Sequence, residues 1–370
     1  MAPFLLRRLW LTVVPRPGGA PFVASDPSAL AANPGLTWIG HASFLVRMDG
    51  TTFLTDPMFS RRASPLRFAG PPRLVPPGLS LSGLPRVDFA LVSHDHYDHL
   101  DLPSVRVLAA RGVRFVVPSG VGELIRRAGG QVTELGWWEK TDVGAVTVHC
   151  VPSRHFSGRS LFDRNRRLWA GFVVEGPTRR FYHAGDTASF DGFSEIGRRL
   201  GPFDVAAMPI GAYLPRRMMA PVHVTPEEAV QGALAARASR IAAMHWGTFD
   251  LADEPIDEPP RRFYHAGDTA SFDGFSEIGR RLGPIDLAAM PIGAYLPRRV
   301  MAPVHVTPEE AVQGALAARA SRIAAMHWGT FDLADEPLDE PPRRFRAEAL
   351  RLGLGDDRAW VMKVGETRGW

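Results

Sequence analysis

An 82-residue stretch that occurs twice in tandem is the feature that most limits how this chain of 370 residues can fold. Residues 179–260 recur as residues 261–342, and the two copies differ at only four positions: Phe203/Ile285, Val205/Leu287, Met218/Val300 and Ile256/Leu338. Each exchange replaces one apolar side chain by another, which a packed core tolerates. Two long units do not make a solenoid, because solenoids stack several shorter repeats. A recent tandem duplication and an error in assembling the sequence both account for the repeat, and the sequence leaves both open.

One copy is enough to complete a single domain. The chain is therefore predicted to form one domain over residues 36–370, with the other copy as a spare insertion. Residues 1–35 are predicted to be a separate N-terminal segment. Within it, Met1–Pro17 is apolar but interrupted by Arg7 and Arg8, which favours a loosely ordered terminus over a signal peptide. A short amphipathic segment that binds a membrane surface is the alternative.

Short β-type runs dominate the first half of the chain and recur within each copy. In each copy a strand leads through a helix to a second strand, and Thr225, Pro226 and Glu228 predict the helix start as a capping box. Many strands with fewer helices predict a mixed α/β fold whose sheets are covered by helices. Helices are predicted at Ser119–Ala128, capped by Ser119, and near Phe345–Leu352. Strands are predicted at Leu36–Ile39, Ser43–Arg47, Thr51–Thr55, Val87–Ser93, Val113–Val117, Val146–Val151, Leu168–Glu175, Phe181–His183, Asp204–Ile210, Arg240–His245 and Trp360–Val364.

Composition excludes several classes of protein. Apolar residues make up 45% and charged residues 22% of the chain, as in ordinary globular proteins. No run approaches the roughly 18 apolar residues that a membrane-spanning helix needs. The single cysteine, Cys150, forms no internal disulfide, which agrees with a reducing, cytoplasmic location. All of the 43 basic residues except Lys140 and Lys363 are arginines dispersed along the chain, so no nucleic-acid partner is expected.

The segment SHDHYDHL at residues 93–100 carries the strongest chemical signal. Four potential ligands, His94, His96, Asp98 and His99, directly follow an apolar run. Side chains two positions apart point the same way in extended backbone, so His94, His96 and Asp98 are expected to converge while His99 turns toward a neighbouring position. Imidazole and carboxylate groups suit zinc and related divalent ions. A polar turn that happens to be rich in histidine is the alternative.

Three further potential ligands follow predicted strands downstream, namely His155, Asp186 and His245. Each of them alone would more often be a structural residue. Their shared position at strand ends brings them near the histidine cluster. Seven ligands are too many for one tetrahedral ion and suit two ions that share a bridging carboxylate.

The pattern HxHxDH, followed by single His, Asp and His residues at strand ends, resembles the metallo-β-lactamase superfamily. More closely, the chain resembles the branch of N-acylphosphatidylethanolamine-hydrolysing phospholipases D and their bacterial relatives, through the phrases TWIGHASFLV, HAGDT, PIGAY, HVTPEEAV and HWGTF. The resemblance covers residues 37–368 apart from one copy of the repeat. It implies an αββα four-layer sandwich with the metal site at one edge.

The resemblance also implies roles for the ligands. It assigns them to two divalent ions, expected to be zinc: His94, His96 and His155 to the first, Asp98, His99 and His245 to the second, and Asp186 to both. A water between the ions would be ionised to a metal-bound hydroxide and would attack the substrate.

Further positions match the same family. Asp56 is expected to orient a ligand histidine, with a role in a turn as the alternative. His41 and His223, grouped with Asp98 as catalytic residues, are expected to line the substrate pocket, with a packing or helix-entry role as the alternative. The loop Arg216-Arg217-Met218-Met219 is expected to contact lipid and anionic headgroups.

The activity implied by the resemblance is that of a metal-dependent phosphodiesterase of the phospholipase D type. Such an enzyme cleaves N-acylphosphatidylethanolamine to phosphatidic acid and N-acylethanolamine. A lactonase or other small-molecule hydrolase of the same superfamily is one alternative, and an inactive product of a duplicated gene is another. The expected partners are a phospholipid or small-molecule substrate, a membrane surface contacted peripherally, and further copies of the chain in a homo-oligomer.

Only one HDHYDH cluster exists, so only one pair of downstream ligands can complete the site. The candidates are Asp186 with His245, Asp268 with His327, or Asp186 with His327. The first pair is predicted, because it keeps Leu168–Glu175 joined to Phe181–His183 as a local hairpin. The second copy would then leave as an insertion after the linker at residues 257–260.

Overall fold

The computed structural model describes residues 18–23, 25, 34–160, 162–254, 256, 263–330, 333–364 and 366. The chain forms two compact units, Met1–Pro260 and Arg261–Trp370, and the boundary between them is the boundary between the two copies. This differs from the single domain that we predicted, because the second copy forms a sheet and a core of its own. The predictions for Met1–Pro17 and for the linker at residues 257–260 lie outside the described residues.

The first unit begins with a six-stranded sheet in sequential order. Its strands are β1 (Gly35–Gly40), β2 (Ser43–Met48), β3 (Thr51–Thr55), β4 (Phe89–Leu91), β5 (Arg114–Pro118) and β6 (Gln131–Leu135). Strand β2 pairs antiparallel with both β1 and β3, and strands β3 to β6 pair parallel with one another. Helices α1 (Leu102–Ala110) and α2 (Gly122–Arg127) share one apolar core with this sheet.

A second six-stranded sheet completes this unit, in the order β12-β11-β10-β9-β8-β7. Its strands are β7 (Lys140–Val143), β8 (Val146–Val151), β9 (Gly171–Glu175), β10 (Arg180–His183), β11 (Val205–Pro209) and β12 (Ile241–Met244). Helices α3 (Gly192–Leu200), α4 (Arg216–Met219) and α5 (Pro226–Ala235) connect its last strands. The predicted hairpin is present, since β9 and β10 pair antiparallel.

One apolar core joins the two sheets of the first unit. It includes Phe53 of the first sheet and Phe181 of the second, whose ring centroids are 5.8 Å apart. Phe193 of α3 and Ala233 of α5 belong to the same core. The fold is therefore a mixed α/β arrangement in which buried sheets carry helices.

The capping box predicted for α5 is confirmed. The Thr225 hydroxyl accepts a hydrogen bond from the backbone N–H of Glu228 at 3.2 Å, and the Glu228 carboxylate accepts one from the N–H of Thr225 at 2.9 Å. Two of the free N–H groups at the helix start are thereby paired. The helix thus begins at Pro226, directly after the residues that lead out of the candidate site.

The second unit repeats the last part of the first. Its sheet has the order β13 (Phe263–His265), β14 (Ile285–Pro291), β15 (Ala320–Met326) and β16 (Ala359–Trp360). Its helices are α6 (Gly274–Leu282), α7 (Arg298–Met301), α8 (Pro308–Ala317) and α9 (Glu340–Arg351). Among the helices of the described residues, none is both long and apolar enough to cross a bilayer.

Several predicted elements differ from the observed ones. Helix α2 begins at Gly122 after Val121, so Ser119 is not its cap. The last strand comprises Ala359–Trp360 and not Trp360–Val364 as predicted, so the chain leaves the sheet after Trp360. Strands β6 and β7 were not predicted, because their partly exposed faces lack a continuous apolar run.

The C-terminal segment, defined here as α9 and β16, covers the second copy. Strand β16 pairs with β15, and the guanidinium of Arg344 donates hydrogen bonds of 2.8 Å to both carboxylate oxygens of Glu309 on α8. Phe345 of α9 is fully buried in the same core. The chain has one such segment for two copies, and within the described residues β12 of the first copy remains an edge strand.

The effect of this cover is visible at matched positions of the two copies. Val312 and Ile323 in the second copy are 0% and 1% exposed. Their equivalents Val230 and Ile241 in the first copy are 37% and 39% exposed. Leu234, next to them on α5, is 59% exposed. The same local sequence therefore buries its apolar face in one copy and leaves it open in the other.

Candidate metal centre

The candidate centre forms where strands of both sheets of the first unit end. His94, His96, Asp98 and His99 follow β4 of the first sheet, whereas His155 follows β8, Asp186 follows β10 and His245 follows β12 of the second. Strand ends leave the sheet ladder, so their side chains can face a common space without disturbing the core. All seven predicted ligands come together there, in overlapping groups whose donor atoms lie within 4.8 Å of one another.

The backbone turns within the histidine cluster, which changes how its members group. The N–H groups of His99 and Leu100 both donate to the carbonyl oxygen of His96, at 3.1 and 2.8 Å. Extended backbone therefore ends near His96, and the expected convergence of His94, His96 and Asp98 does not occur. His94 and His96 stay on one side, while Asp98 joins His99 on the other.

The first group consists of His94, His96 and His155. Nε2 of His94 lies 2.8 Å from Nδ1 of His96, and that atom lies 3.3 Å from Nε2 of His155. Burial lowers the pKa of both His94 and His155 well below the ordinary histidine value, and neighbouring histidines lower it further. These imidazoles are therefore neutral near pH 7, which is the form that binds a metal ion.

The second group consists of Asp98, His99 and His245, together with His41. Oδ2 of Asp98 lies 3.5 Å from Nε2 of His99 and 3.3 Å from Nε2 of His245. The same oxygen is hydrogen-bonded to Nε2 of His41 at 2.9 Å. Burial lowers the pKa of His245, but the carboxylates of Asp186 and Asp98 outweigh burial and raise it to about 9.

Asp186 lies between the two groups. Its Oδ2 atom is 3.0 Å from Nε2 of His245 and 3.2 Å from Nε2 of His99. The same oxygen is 3.7 Å from Nε2 of His155 and 3.9 Å from Nε2 of His94. A single carboxylate thus reaches ligand atoms of both groups.

Unpaired polar atoms test whether these residues fit metal ions. Nε2 of His99, Nε2 of His245 and Oδ1 of Asp186 are buried, and none has a partner with hydrogen-bond geometry. Buried nitrogen and oxygen atoms without partners are costly, and a cation would satisfy their lone pairs. The set of imidazoles and carboxylates also matches the preferences of divalent zinc. The residues present therefore fit a metal centre.

Asp56 supports the centre through hydrogen bonds to residues around it. Its Oδ2 atom accepts hydrogen bonds from Nδ1 of His99 at 2.8 Å and from Nε2 of His183 at 2.9 Å. Its Oδ1 atom accepts one from the N–H of Ser93 at 2.6 Å. Burial raises the pKa of Asp56, but His183 and His99 outweigh it and hold the pKa below the ordinary range. The ionised carboxylate thereby fixes the orientation of the His99 ring.

Sequence reasoning did not single out His183 or Asp95. His183 precedes Asp186 in the phrase HAGDT, and only its contact with Asp56 gives it a role. Asp95 lies between His94 and His96 in the sequence, is fully buried, and forms a 2.8 Å ion pair with Arg167. Successive side chains of an extended segment point to opposite sides, so this signal could have placed Asp95 on the side opposite to His94.

Close packing around the ligands requires a glycine at position 185. Gly185 has φ +60°, and a Cβ there would lie 2.9 Å from Cβ of Ser93. Three residues of the centre that are not glycine also adopt positive φ: His41 at 55°, Asp56 at 36° and His245 at 62°. Such conformations cost energy and are found where the surrounding structure enforces them, often at functional sites.

The remaining predicted residues lie beside the centre. Burial lowers the pKa of His223 to about 3, and its ring faces His155 with centroids 5.1 Å apart. Burial also lowers the pKa of His41 to about 4. Arg216 does not project freely, because its Nη2 atom donates to both carboxylate oxygens of Glu228, at 2.9 and 3.0 Å.

The two copies contribute differently. Asp186 and His245 of the first copy stand beside the histidine cluster, whereas Asp268 and His327 group with His305 in the second unit. The C-terminal segment stays with the other copy, so the copy that lies at the histidine cluster is not the copy that this segment covers.

Comparisons with known proteins identify the family of this chain. A family model described as the β-lactamase superfamily domain matches residues 51–246 and 255–328. The chain is 43% identical over 238 residues to N-acyl-phosphatidylethanolamine-hydrolyzing phospholipase D 1 of Caenorhabditis elegans, covering 61% of this chain and 67% of that protein.

Two further relatives are similar. An uncharacterized protein of Mycobacterium tuberculosis is 43% identical over 250 residues, which is 66% of this chain and 65% of that one. The mitochondrial N-acyl-phosphatidylethanolamine-hydrolyzing phospholipase D of Saccharomyces cerevisiae is 33% identical over 251 residues, 64% of this chain and 53% of that one. The chain thus spans between about half and two thirds of the length of these relatives.

Proposed function

The chain belongs to the β-lactamase superfamily and is a metallohydrolase of it, and on that premise we propose that it is a phosphodiesterase of the phospholipase D type. The proposed reaction cleaves N-acylphosphatidylethanolamine to phosphatidic acid and N-acylethanolamine. The observation that carries the proposal is the position of Asp186, whose Oδ2 atom lies 3.0–3.9 Å from histidine nitrogens of both groups. The names of the relatives in Caenorhabditis elegans and Saccharomyces cerevisiae support the substrate.

The proposed centre holds two zinc ions. His94, His96 and His155 would hold one, Asp98, His99 and His245 the other, and Asp186 would serve both. When bound, the ions would lower the pKa of water and stabilise negative charge on the substrate phosphate. An αββα four-layer arrangement of the first unit is part of the same proposal.

The chain's own residues would position this chemistry. Neutral His41 donates its Nε2–H to Asp98, which orients that carboxylate toward His99 and His245. His223 has no partner at Nδ1 and lies beside His155. Because its pKa of about 3 keeps it neutral near pH 7, it can exchange a hydrogen bond with a bound substrate. His41 is therefore a positioning residue, and His223 is the proposed contact to substrate.

A substrate panel tests this function. The purified chain should hydrolyse N-acylphosphatidylethanolamine, and His94→Ala should lower the rate by orders of magnitude, because a ligand is lost from the first group. The matched control is His149→Ala, since that histidine pairs with Glu175 outside the centre. Hydrolysis of lactones without hydrolysis of the phospholipid would favour the lactonase instead. Absence of both activities in a metal-loaded chain would favour an inactive product.

We propose cytoplasmic location with peripheral membrane contact through helix α4. Arg217 is exposed, and Met218 and Met219 are partly exposed. The two methionines can insert into the apolar part of the bilayer while Arg217 is attracted to anionic headgroups. Arg216 was also expected to contact headgroups, but it is left out of this proposal because its guanidinium is hydrogen-bonded to Glu228. Met219→Glu should weaken sedimentation with anionic vesicles, whereas Met301→Glu at the matched position of the second copy serves as the control. Equal recovery of the parent chain with and without vesicles would exclude this contact.

A further inference from the structure

The second copy repeats the backbone hydrogen bonds that surround the candidate ligands of the first copy. These bonds are called the frame below. The N–H of His305 donates to the Met301 carbonyl at 2.7 Å, as that of His223 donates to Met219 at 2.7 Å. The N–H of Val306 donates to Thr269 at 2.8 Å, which ties the loop after β13 to the start of α8. The frame therefore forms without the histidine cluster of residues 94–99.

Three side chains converge on this frame. Asp268 follows β13, His305 precedes α8 and His327 follows β15, and one donor atom of each lies within 4.8 Å of the others. Nε2 of His327 is 3.2 Å from Oδ1 of Asp268, and the rings of His305 and His327 have centroids 5.3 Å apart. Nδ1 of His305 is buried without a hydrogen-bond partner.

The backbone around His327 repeats that around His245. It has φ +60°, almost the value of His245 in the first copy. The carboxylate of Glu336 binds the N–H groups of Ala294 and Leu296, just as Glu254 binds Ala212 and Leu214. A ligand on a rigid support loses little freedom when it binds an ion, so a preorganised site can act with few ligands.

We propose that Asp268, His305 and His327 form a separate site for one divalent transition-metal cation. Two imidazoles and one carboxylate leave coordination positions open to water or to a small anion. Asp268 has a side chain that is 60% exposed, so the site is open to solvent. With three protein ligands and an open face, it binds zinc more weakly than the proposed centre of the first unit.

Metal counting in variants of the full chain tests this site independently of the proposed hydrolysis. The parent chain, dialysed against micromolar zinc, should bind one ion more than the Asp268→Asn and His327→Ala variants. A limiting chelator should remove this ion first. In a His94→Ala, His96→Ala background the site should still bind its ion, and adding His327→Ala should lower the total metal content by one ion per chain.

Cobalt(II) gives a second measurement that reports geometry. Visible absorption of bound cobalt in the double-variant background should fall by the share of one ion in His305→Ala, while the circular dichroism of the chain stays unchanged. Equal zinc content in the parent chain and in the folded Asp268→Asn and His327→Ala variants would overturn the proposal. Failure of lipid hydrolysis with the extra ion still present would overturn the proposed function alone.

Discussion

The two copies allow one residue type to be tested in two environments with the same local sequence. We predict that Ile323→Ala destabilises the second unit much more than Ile241→Ala destabilises the first. Both residues lie in the phrase ASRIAAMHWGT. Ile323 is 1% exposed and belongs to the core that contains Phe345, whereas Ile241 is 39% exposed on edge strand β12.

The magnitudes follow from burial. Replacing a fully buried isoleucine by alanine removes apolar contacts and leaves a cavity, at a cost of about 2–5 kcal/mol. At Ile241 part of the side chain is already in water and solvent fills the vacated space, so about 1 kcal/mol is expected. The two variants should therefore differ by about 2 kcal/mol, which is roughly 30-fold in an opening equilibrium.

Hydrogen exchange with mass spectrometry can measure each unit separately. Peptides from β11 and β14 differ in mass because Phe203 and Val205 are replaced by Ile285 and Leu287 in the second copy. Exchange in the β14 peptide should accelerate about 30-fold more in Ile323→Ala than exchange in the β11 peptide does in Ile241→Ala. Equal acceleration in both, or a larger effect at Ile241, would refute the conclusion that the C-terminal segment covers only the second copy.

Three other outcomes are expected. His245→Ala should remove an ion and abolish hydrolysis, and loss of hydrolysis in His327→Ala instead would refute our choice of copy. Asp56→Asn should lower metal affinity by about 10–100-fold, because it loosens the ring of His99; unchanged affinity by competition with a chelator would contradict this. Arg351 and Gln313 hold the pKa of Glu348 at about 2, below the ordinary glutamate value, so stability that is present above pH 4.5 should decline as the pH falls toward 2. Acid titration followed by circular dichroism should show a smaller decline in Glu348→Gln.

Local signals were sufficient for much of the fold. The capping box at Thr225 and the hairpin of β9 and β10 depend on residues close in sequence, and both are present. The polar strands β6 and β7 carry no continuous apolar run and could not be recognised in this way. Ser119 has the right chemistry for a cap, but the helix begins after Val121.

A local backbone turn and a contact between distant residues account for what the sequence did not predict in the candidate centre. The cluster at residues 94–99 indicated metal ligands, but the turn at His96 that separates them depends on backbone hydrogen bonds. His183 and Asp56 are 127 residues apart, so their hydrogen bond follows only from the packing of the two sheets. The faces of the two copies that could receive the C-terminal segment have the same residues, so the only sequence signal for its location is that it directly follows the second copy.

The single C-terminal segment has a consequence for the gene. Two nearly identical copies favour homologous recombination, and loss of either copy keeps the reading frame, because whole codons are removed. The shortened product would join Pro260, or its equivalent Pro342, directly to Arg343. The segment would then follow the same copy that supplies Asp186 and His245 or their equivalents, and it could cover Val230 and Ile241. A reversion of this kind should be recoverable by selection for a more stable protein.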